Sequence, residues 1–287
     1  MKLKKLRPKS IFLRLENIIC NFDTIQIIKY NIIFMRPYIL IERTWKDLKT
    51  ERFDLAIIAW GATEAHNYHL PYGTDIYEAN AIAAESGKKA WEKGSKVLIL
   101  PTIPFGVNTG QTDIYLDINM SPSTQMAILK DVLTVLDRQG IKKFLILNSH
   151  GGNNFKTMLR ELGLDFPEMW LSSCNWFHAL DKSQYFEEEG DHADEMETSI
   201  MMHIHPEFVL PLSEAGIGLE KKNQIKGFRE KWAWTERKWS LVTNDTGVGN
   251  PKKSNPEKGK KFFNDVTDKI SELIQDICNT ELDDIYQ

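Results

Sequence analysis

The stretch Lys142-Lys-Phe-Leu-Ile-Leu147, running into Asn148-Ser-His150-Gly-Gly-Asn153, decides how this chain is read. A short apolar run bounded by glycines and polar residues has the pattern of a strand buried on both faces. Phe53–Trp60 (FDLAIIAW) and Lys96–Leu100 (KVLIL) share that form, and Met169–Asn175 supplies a fourth strand. Helical patterns lie between them. Ile76–Trp91 is rich in alanine and stops near Gly94. Ser123–Gln139 carries Met126, Leu129, Leu133 and Leu136 on one face, with Ser123 placed to cap it and Gly140 to end it. Asn153–Leu162 and Glu195–Ile204 follow, the latter closed by Pro206. Pro256–Asn279 is long and amphipathic, with Phe262, Phe263, Val266, Ile270, Leu273, Ile274 and Ile277 inward. Strands alternating with helices require crossovers, so the fold reads as α/β, a three-layer α/β/α sandwich with a mainly parallel sheet. In such folds ligands collect beyond the carboxyl ends of the strands.

The 287 residues, 42% apolar and 26% charged, are enough to bury a core without disulfides or metal staples. A net charge of −4 and a pI near 6.0 do not point to nucleic acid as a partner. Cys20, Cys174 and Cys278 are widely spaced with no CxxC pair, which fits reduced thiols and a cytoplasmic protein. The first 36 residues are different, with eight basic side chains against Glu16 and Asp23. Asn17, Asn21, Asp23, Gln26 and Lys29 break up any apolar run there, which argues against a secretory signal and against a membrane span. Residues 1–34 therefore read as a basic extension, non-native or disordered, ahead of a single domain over 35–287 that starts at Met35. The basic and aromatic segment Glu220–Thr243, with Trp232, Trp234 and Trp239, reads as an insertion forming a lid or a subunit contact, the contact being favoured.

Three polar clusters follow the strands. The first is Gly61-Ala-Thr-Glu64-Ala-His66-Asn-Tyr-His69-Leu-Pro-Tyr-Gly-Thr-Asp75. Glu64 and His66 are two apart, so an extended backbone projects both to one side, where carboxylate and imidazole can chelate a divalent ion. Asp75 stands before a helix, as an N-cap or as a further ligand. His69 reads as a packing residue or a partner that orients a ligand. The second cluster is Asn148–Asn153, in which two glycines let the backbone turn sharply beside His150. The third is His192-Ala-Asp-Glu-Met-Glu197-Thr-Ser199, with Glu197 in a first helical turn. Together they offer Glu64, His66, Asp75, His150, His192 and Glu197, enough for two ions with Asp75 as a bridge. Two such ions lower the pKa of a water and polarise a carbonyl. Tyr115 and Asp117, after the second strand, are placed where they could touch a substrate.

These clusters, in this order, resemble the creatininase (creatinine amidohydrolase) family. Its motifs are approximately Gly-Ser-x-Glu-x-His-Gly-x-His-Leu-Pro with a following Thr-Asp, Asn-Gly-His-Gly-Gly-Asn, and His-Ala-Gly-x-x-Glu-Thr-Ser. Here they read GATEAHNYHLPYGTD, NSHGGN and HADEMETS, with Pro101–Gly106 and Gly247–Pro251 also similar. The resemblance runs from about Met35 to the last helix. It implies an α/β/α sandwich, commonly oligomeric, that binds two divalent ions (zinc, with manganese or iron also used) and hydrolyses amides. Family reactions include opening the cyclic amide of creatinine, deformylating a formamidopyrimidine and trimming a peptide. By matching positions, Glu64 and His150 would hold one ion, His66 and Glu197 the other, and Asp75 would bridge. His192 would sit near the substrate and protonate the leaving nitrogen. True creatininases carry a metal-binding Glu where this chain has Gly152, which places it in a Gly-Gly-Asn branch and argues against creatinine as substrate. Asn67, Ser149 and Asp194 also replace glycines of the pattern, and an inward Asp194 would disfavour anionic substrates.

The expected function is thus a metal-dependent amidohydrolase acting on a small-molecule amide, a homo-oligomer without nucleic-acid or membrane partners. A non-catalytic metal-binding member of the same fold is the alternative. A phosphoester hydrolase is disfavoured because no basic or glycine-rich phosphate cradle accompanies the clusters.

Overall fold

The structure is a computed structural model and describes residues 35–286. The basic stretch 1–34 lies outside the described residues. Among the described residues four strands form: β1 Leu55–Trp60, β2 Val97–Ile103, β3 Lys143–Asn148 and β4 Trp170–Asn175. Every pairing is parallel, in the order β2-β1-β3-β4. Five helices of ten residues or more among the described residues cover the sheet: α1 Thr74–Glu92, α2 Pro122–Arg138, α3 Lys156–Asp165, α4 Glu195–Ile204 and α5 Pro256–Asn279.

Strand residues alternate between two cores because successive side chains point to opposite faces. Leu55, Ile57, Val97, Ile99, Leu145 and Leu147 pack with Ile82 of α1, Ile200 of α4 and Phe262, Val266 and Ile270 of α5. Ala56, Ile58, Trp60, Leu98, Phe144 and Ile146 pack with Leu129 and Leu133 of α2 and Met158 and Leu162 of α3. The result is the three-layer α/β/α sandwich. Each fully buried Leu, Ile or Phe stabilises it by about 1.5–3 kcal/mol. Tyr38 and Ile39 extend the first core, and the Ile99 amide donates to the Tyr38 carbonyl at 2.7 Å. No helix among the described residues is long and apolar enough to cross a membrane.

Two expectations for local structure are corrected. The cap of α2 is Ser121 rather than Ser123, with Pro122 at the first helical position. Proline is favoured there because its missing N–H would have no intrahelical acceptor in any case. Helix α3 begins at Lys156 instead of Asn153. The Asn153 side chain is committed elsewhere: its Nδ2 donates to Asn148 Oδ1 at 2.9 Å and its Oδ1 accepts from the Val107 amide at 3.0 Å.

The register sets the level at which the chain leaves the sheet. Trp60 of β1 pairs with Asn148 of β3, and Asn148 with Asn175 of β4. The loops carrying the first two clusters therefore start side by side at the carboxyl edge.

Candidate metal centre

The turn after β3 is built around the buried Asn148 side chain. Its Oδ1 accepts from the His150 amide at 3.2 Å, and its Nδ2 donates to the His150 carbonyl at 2.8 Å and to Asn175 Oδ1 at 2.9 Å. This closes the turn and points the His150 ring over β1. The ring then donates Nε2–H to the Val107 carbonyl at 3.0 Å. A neutral imidazole bonded through Nε2 carries its lone pair on Nδ1. That Nδ1 faces Glu64 Oε1 at 2.8 Å and Asp75 Oδ2 at 3.0 Å.

His66 repeats the device in mirror sense. Nδ1–H donates to the Glu64 carbonyl at 3.0 Å, so the lone pair sits on Nε2, which faces Asp75 Oδ1 at 3.2 Å and Glu197 Oε2 at 3.9 Å. Asp75 is the second residue of α1, behind its N-cap Gly73, and so is not the cap. It reaches the site because α1 packs directly on the end of β1, where a Cβ at Gly61 would lie 2.9 Å from the Asp75 backbone. Glu197 comes from the first turn of α4, whose N-cap is Asp194. Asp194 Oδ1 accepts from the amides of Met196 and Glu197 at 2.9 and 3.0 Å, and its Oδ2 lies 3.6 Å from Lys182. The Asp194 charge is therefore engaged in capping and pairing.

The buried donors form three overlapping groups with ligand atoms within 4.8 Å of one another. They are Glu64, Asp75 and His150; His66, Asp75 and Glu197; and Glu64, His66 and His192. Three carboxylates confront imidazole lone pairs, and Asp75 Oδ2 has no hydrogen-bond donor. Lone pairs converging on one point repel unless protons or a cation lie between them, and the mixed carboxylate and imidazole set fits divalent metal ions.

The electrostatics are those of a site that needs positive charge. Burial opposes the imidazolium of His66, but Asp75, Glu197 and Glu64 outweigh it and hold its pKa up to about 10. Burial opposes protonation of His150 as well, and Glu64 and Asp75 raise it well above the usual value. Burial would raise Glu64, yet His150, His192 and His66 hold it below the usual carboxylate range. Glu197 is pushed up to about 8, by burial first and by Asp194 and Asp75 in addition. His192 is held down by burial and by its neighbour His66.

His192 lies against the cluster with its ring centroid 4.1 Å from that of His66. Nε2–H donates to the Ala65 carbonyl at 2.8 Å, leaving Nδ1 3.8 Å from Glu64 Oε1. The edge of Trp239 packs on its ring at 4.8 Å, and the Arg237 guanidinium lies 4.7 Å over Trp239. Arg237 in turn pairs with Asp191 at 3.1 Å. The Glu220–Thr243 segment therefore divides. Trp239 is buried as a wall of the site, which corrects its reading as a subunit contact, whereas Trp232 and Trp234 are exposed. A cavity of about 450 Å³ opens above Glu64, Asp75, His150, His192 and Glu197, with Trp234 and Arg237 at its rim.

The structure thus brings together all six residues singled out from sequence. Others are placed apart. His69 Nε2 bonds Thr198 Oγ1 at 2.8 Å and ties the first loop to α4. Asp117 Oδ1 accepts from the Ala65 amide at 2.7 Å, which steadies the Glu64–His66 loop, and the Tyr115 side chain is exposed. Asn67 adopts φ 55°, a left-handed conformation that asparagine tolerates, and its side chain bonds the Gly216 backbone. Ser149 Oγ accepts from Trp176 Nε1 at 2.8 Å. Gln111, which sequence reading passed over, is buried and donates to Glu64 Oε2. Nothing in the irregular stretch 107–121 marks it in advance.

Gly152 allows no side chain on this backbone. A Cβ there would sit 2.5 Å from His150 Nε2 and inside contact with the Val107 carbonyl. A carboxylate side chain therefore has no place at this position.

A parallel α/β/α sandwich with carboxylates and imidazoles converging beyond its carboxyl edge defines an α/β protein with a candidate metal centre. The chain belongs to the creatininase family, whose model, described as creatinine amidohydrolase, matches residues 41–274. It is similar to a Bacteroides fragilis NCTC 9343 protein named as a candidate creatinine amidohydrolase. That likeness has 41% identity and a TM-score of 0.82, over 88% of this chain and 99% of that one. A creatininase in a manganese form shares the fold at 16% identity and a TM-score of 0.70, over 85% of this chain and 100% of that one. A variant creatininase of Zn-Zn type does so at 17% identity and a TM-score of 0.69, with coverage of 85% and 100%. The 3-dehydro-scyllo-inosose hydrolase of Thermotoga maritima is 26% identical over 177 residues, 56% of this chain. The chain spans about half the length, 53%, of that curated relative.

Proposed function

We propose that this protein holds two divalent ions and hydrolyses a C–N amide bond in a small molecule. The observation that carries this reading is Asp75, whose Oδ1 and Oδ2 face different histidines, His66 at 3.2 Å and His150 at 3.0 Å. Glu64, Asp75 and His150 would hold one ion, and His66, Asp75 and Glu197 the other. Zinc suits this mixed set, as do manganese and iron. When bound, such ions lower the pKa of water and polarise a scissile carbonyl.

The protein's own part is to aim these groups and to move a proton. The bonds from His66 and His150 to backbone carbonyls keep each lone pair directed inward. His192 is held neutral with Nδ1 open. It accepts a proton from the attacking water at Nδ1 and passes it to the leaving nitrogen as the C–N bond breaks. The absence of a side chain at Gly152 argues for a substrate other than creatinine. A homo-oligomer is the expected assembly, with the exposed Trp232 and Trp234 available for a subunit contact, in a cytoplasm that keeps Cys174 and Cys278 reduced.

The test is elemental analysis of protein purified without chelator, beside D75A. Near two ions per chain, absent from D75A, supports the reading. Near zero after zinc and manganese are added back refutes it and leaves a non-catalytic member of the fold. Turnover is then screened with cyclic amides, formamides, short peptides and phosphoesters, and with inososes after the name of the Thermotoga relative.

A further inference from the structure

Glu64 divides its two oxygens between different tasks. Oε1 faces His150 Nδ1 at 2.8 Å and His192 Nδ1 at 3.8 Å. Oε2 accepts from the carboxamide Nε2 of Gln111. Gln111 is only 3% exposed, and its Oε1 has no partner, so the bond to Glu64 is the one side-chain hydrogen bond it makes among the described residues. A buried carboxamide that bonds a single carboxylate oxygen has its polar role there.

The turn that carries Gln111 is fixed from both sides. The Gln111 amide donates to the Asn108 carbonyl at 2.9 Å, and Asn108 Nδ2 donates to the Thr63 carbonyl, one residue before Glu64, at 3.3 Å. From outside, the Arg237 carbonyl presses on Gly110 so closely that a Cβ there would overlap it. Ser240 Oγ donates to Asp113 Oδ2 at 2.6 Å and fastens the same strap. The Glu220–Thr243 segment thus backs Gln111 as well as His192.

We propose that Gln111 is a positioning residue, which holds Glu64 by Oε2 so that Oε1 alone is presented toward His150 and Asp75. This rests on the two-ion reading above. Glutamine suits the task because its NH₂ is a permanent donor with no charge. A methionine would leave Oε2 buried and unpaired, and a glutamate would set a second carboxylate against it. The Glu64, Asp75 and His150 group has three protein donors, so the orientation of Glu64 governs its hold on an ion. Partners of this kind typically alter metal affinity by about 10–100-fold.

The experiment is zinc binding to metal-stripped protein by competition with a chromophoric chelator, for the parent, Q111M and Q111E, with melting of each metal-free protein alongside. The expected result is that both variants weaken one of two ions by about 10–100-fold and leave the other within about twofold. Metal-free melting of Q111E falls, because the variant buries a second carboxylate against Glu64, so the deciding readout is which ion weakens. A merely structural role would loosen both ions together, which overturns the proposal. If Q111M fails to fold, Q111E, which matches glutamine in shape, decides alone. Two ions in the parent and unchanged affinities in Q111E overturn the role of Gln111 only. Fewer than two ions in the parent overturns the two-ion reading and this role with it.

Discussion

Replacing Gly152 with alanine adds one methyl group at the point where the His150 ring is oriented. That Cβ would stand 2.5 Å from Nε2 and overlap the Val107 carbonyl that accepts the Nε2–H. The ring and the carbonyl cannot both stay where they are. Overpacking of this size costs about 1–3 kcal/mol, and the broken hydrogen bond about 1 kcal/mol more. For a domain of this size each kcal/mol shifts Tm by about 2–4 °C, so G152A should melt roughly 5–15 °C below the parent. Metal affinity should fall by about 10–100-fold, because the lone pair on Nδ1 is aimed only while Nε2 is held. Gly151 is the internal control. A Cβ there meets nothing within 4 Å, so G151A should bind metal as the parent does. Its melting should be unchanged or slightly higher, since alanine restricts the unfolded chain. Calorimetry of the metal-free proteins and zinc competition read both effects. G152A with parental melting and parental affinity would refute the claim that the Val107 carbonyl sets the tautomer and direction of His150.

Other outcomes follow from the same geometry. H192A should keep both ions and lose about 10²–10⁴-fold in kcat; loss of an ion would make His192 a ligand instead of a proton carrier. In metal-free protein at pH 7, His66 (about 10) and Glu197 (about 8) hold protons that metal must displace. Zinc uptake in weak buffer should therefore release protons, and affinity should strengthen as pH rises; uptake without proton release contradicts this. The same two shifts set the stability of metal-free protein. Both folded pKa values are raised, so their contribution is complete at low pH. It is lost as pH rises through about 8 for Glu197 and about 10 for His66, which a falling Tm over that range would record. W239A removes a buried indole from the His192 ring and should cost about 3–5 kcal/mol of stability along with activity. An unchanged Tm would show that the strap does not support the site.

The local elements were largely legible because their pattern matches their environment. FDLAIIAW could be read as a strand buried on both faces since its even and odd residues serve the two different cores. Helix α5 appears with its predicted bounds because its apolar stripe and its Pro256 start agree. Misreadings occurred where a side chain had a distant partner. Asn153 looked like a helix start but bonds Asn148 and Val107, and Trp239 looked like a surface contact but lies on His192. Gln111 could not be found at all, because its partner Glu64 is 47 residues away with a helix and a strand between them.

By itself, the sequence determined the chemistry available: carboxylates and imidazoles placed just after strands, a turn of small residues beside His150, and no side chain at position 152. Only the tertiary structure decided how those groups meet. The register of β1 with β3 brings the loops level, the packing of α1 on Gly61 delivers Asp75 between two histidines, and backbone carbonyls choose which imidazole nitrogen faces inward. Spacing along the chain limits which residues can be neighbours, but the direction of a lone pair depends on hydrogen bonds to residues far away in sequence. That direction separates a set of polar residues from a site able to hold metal.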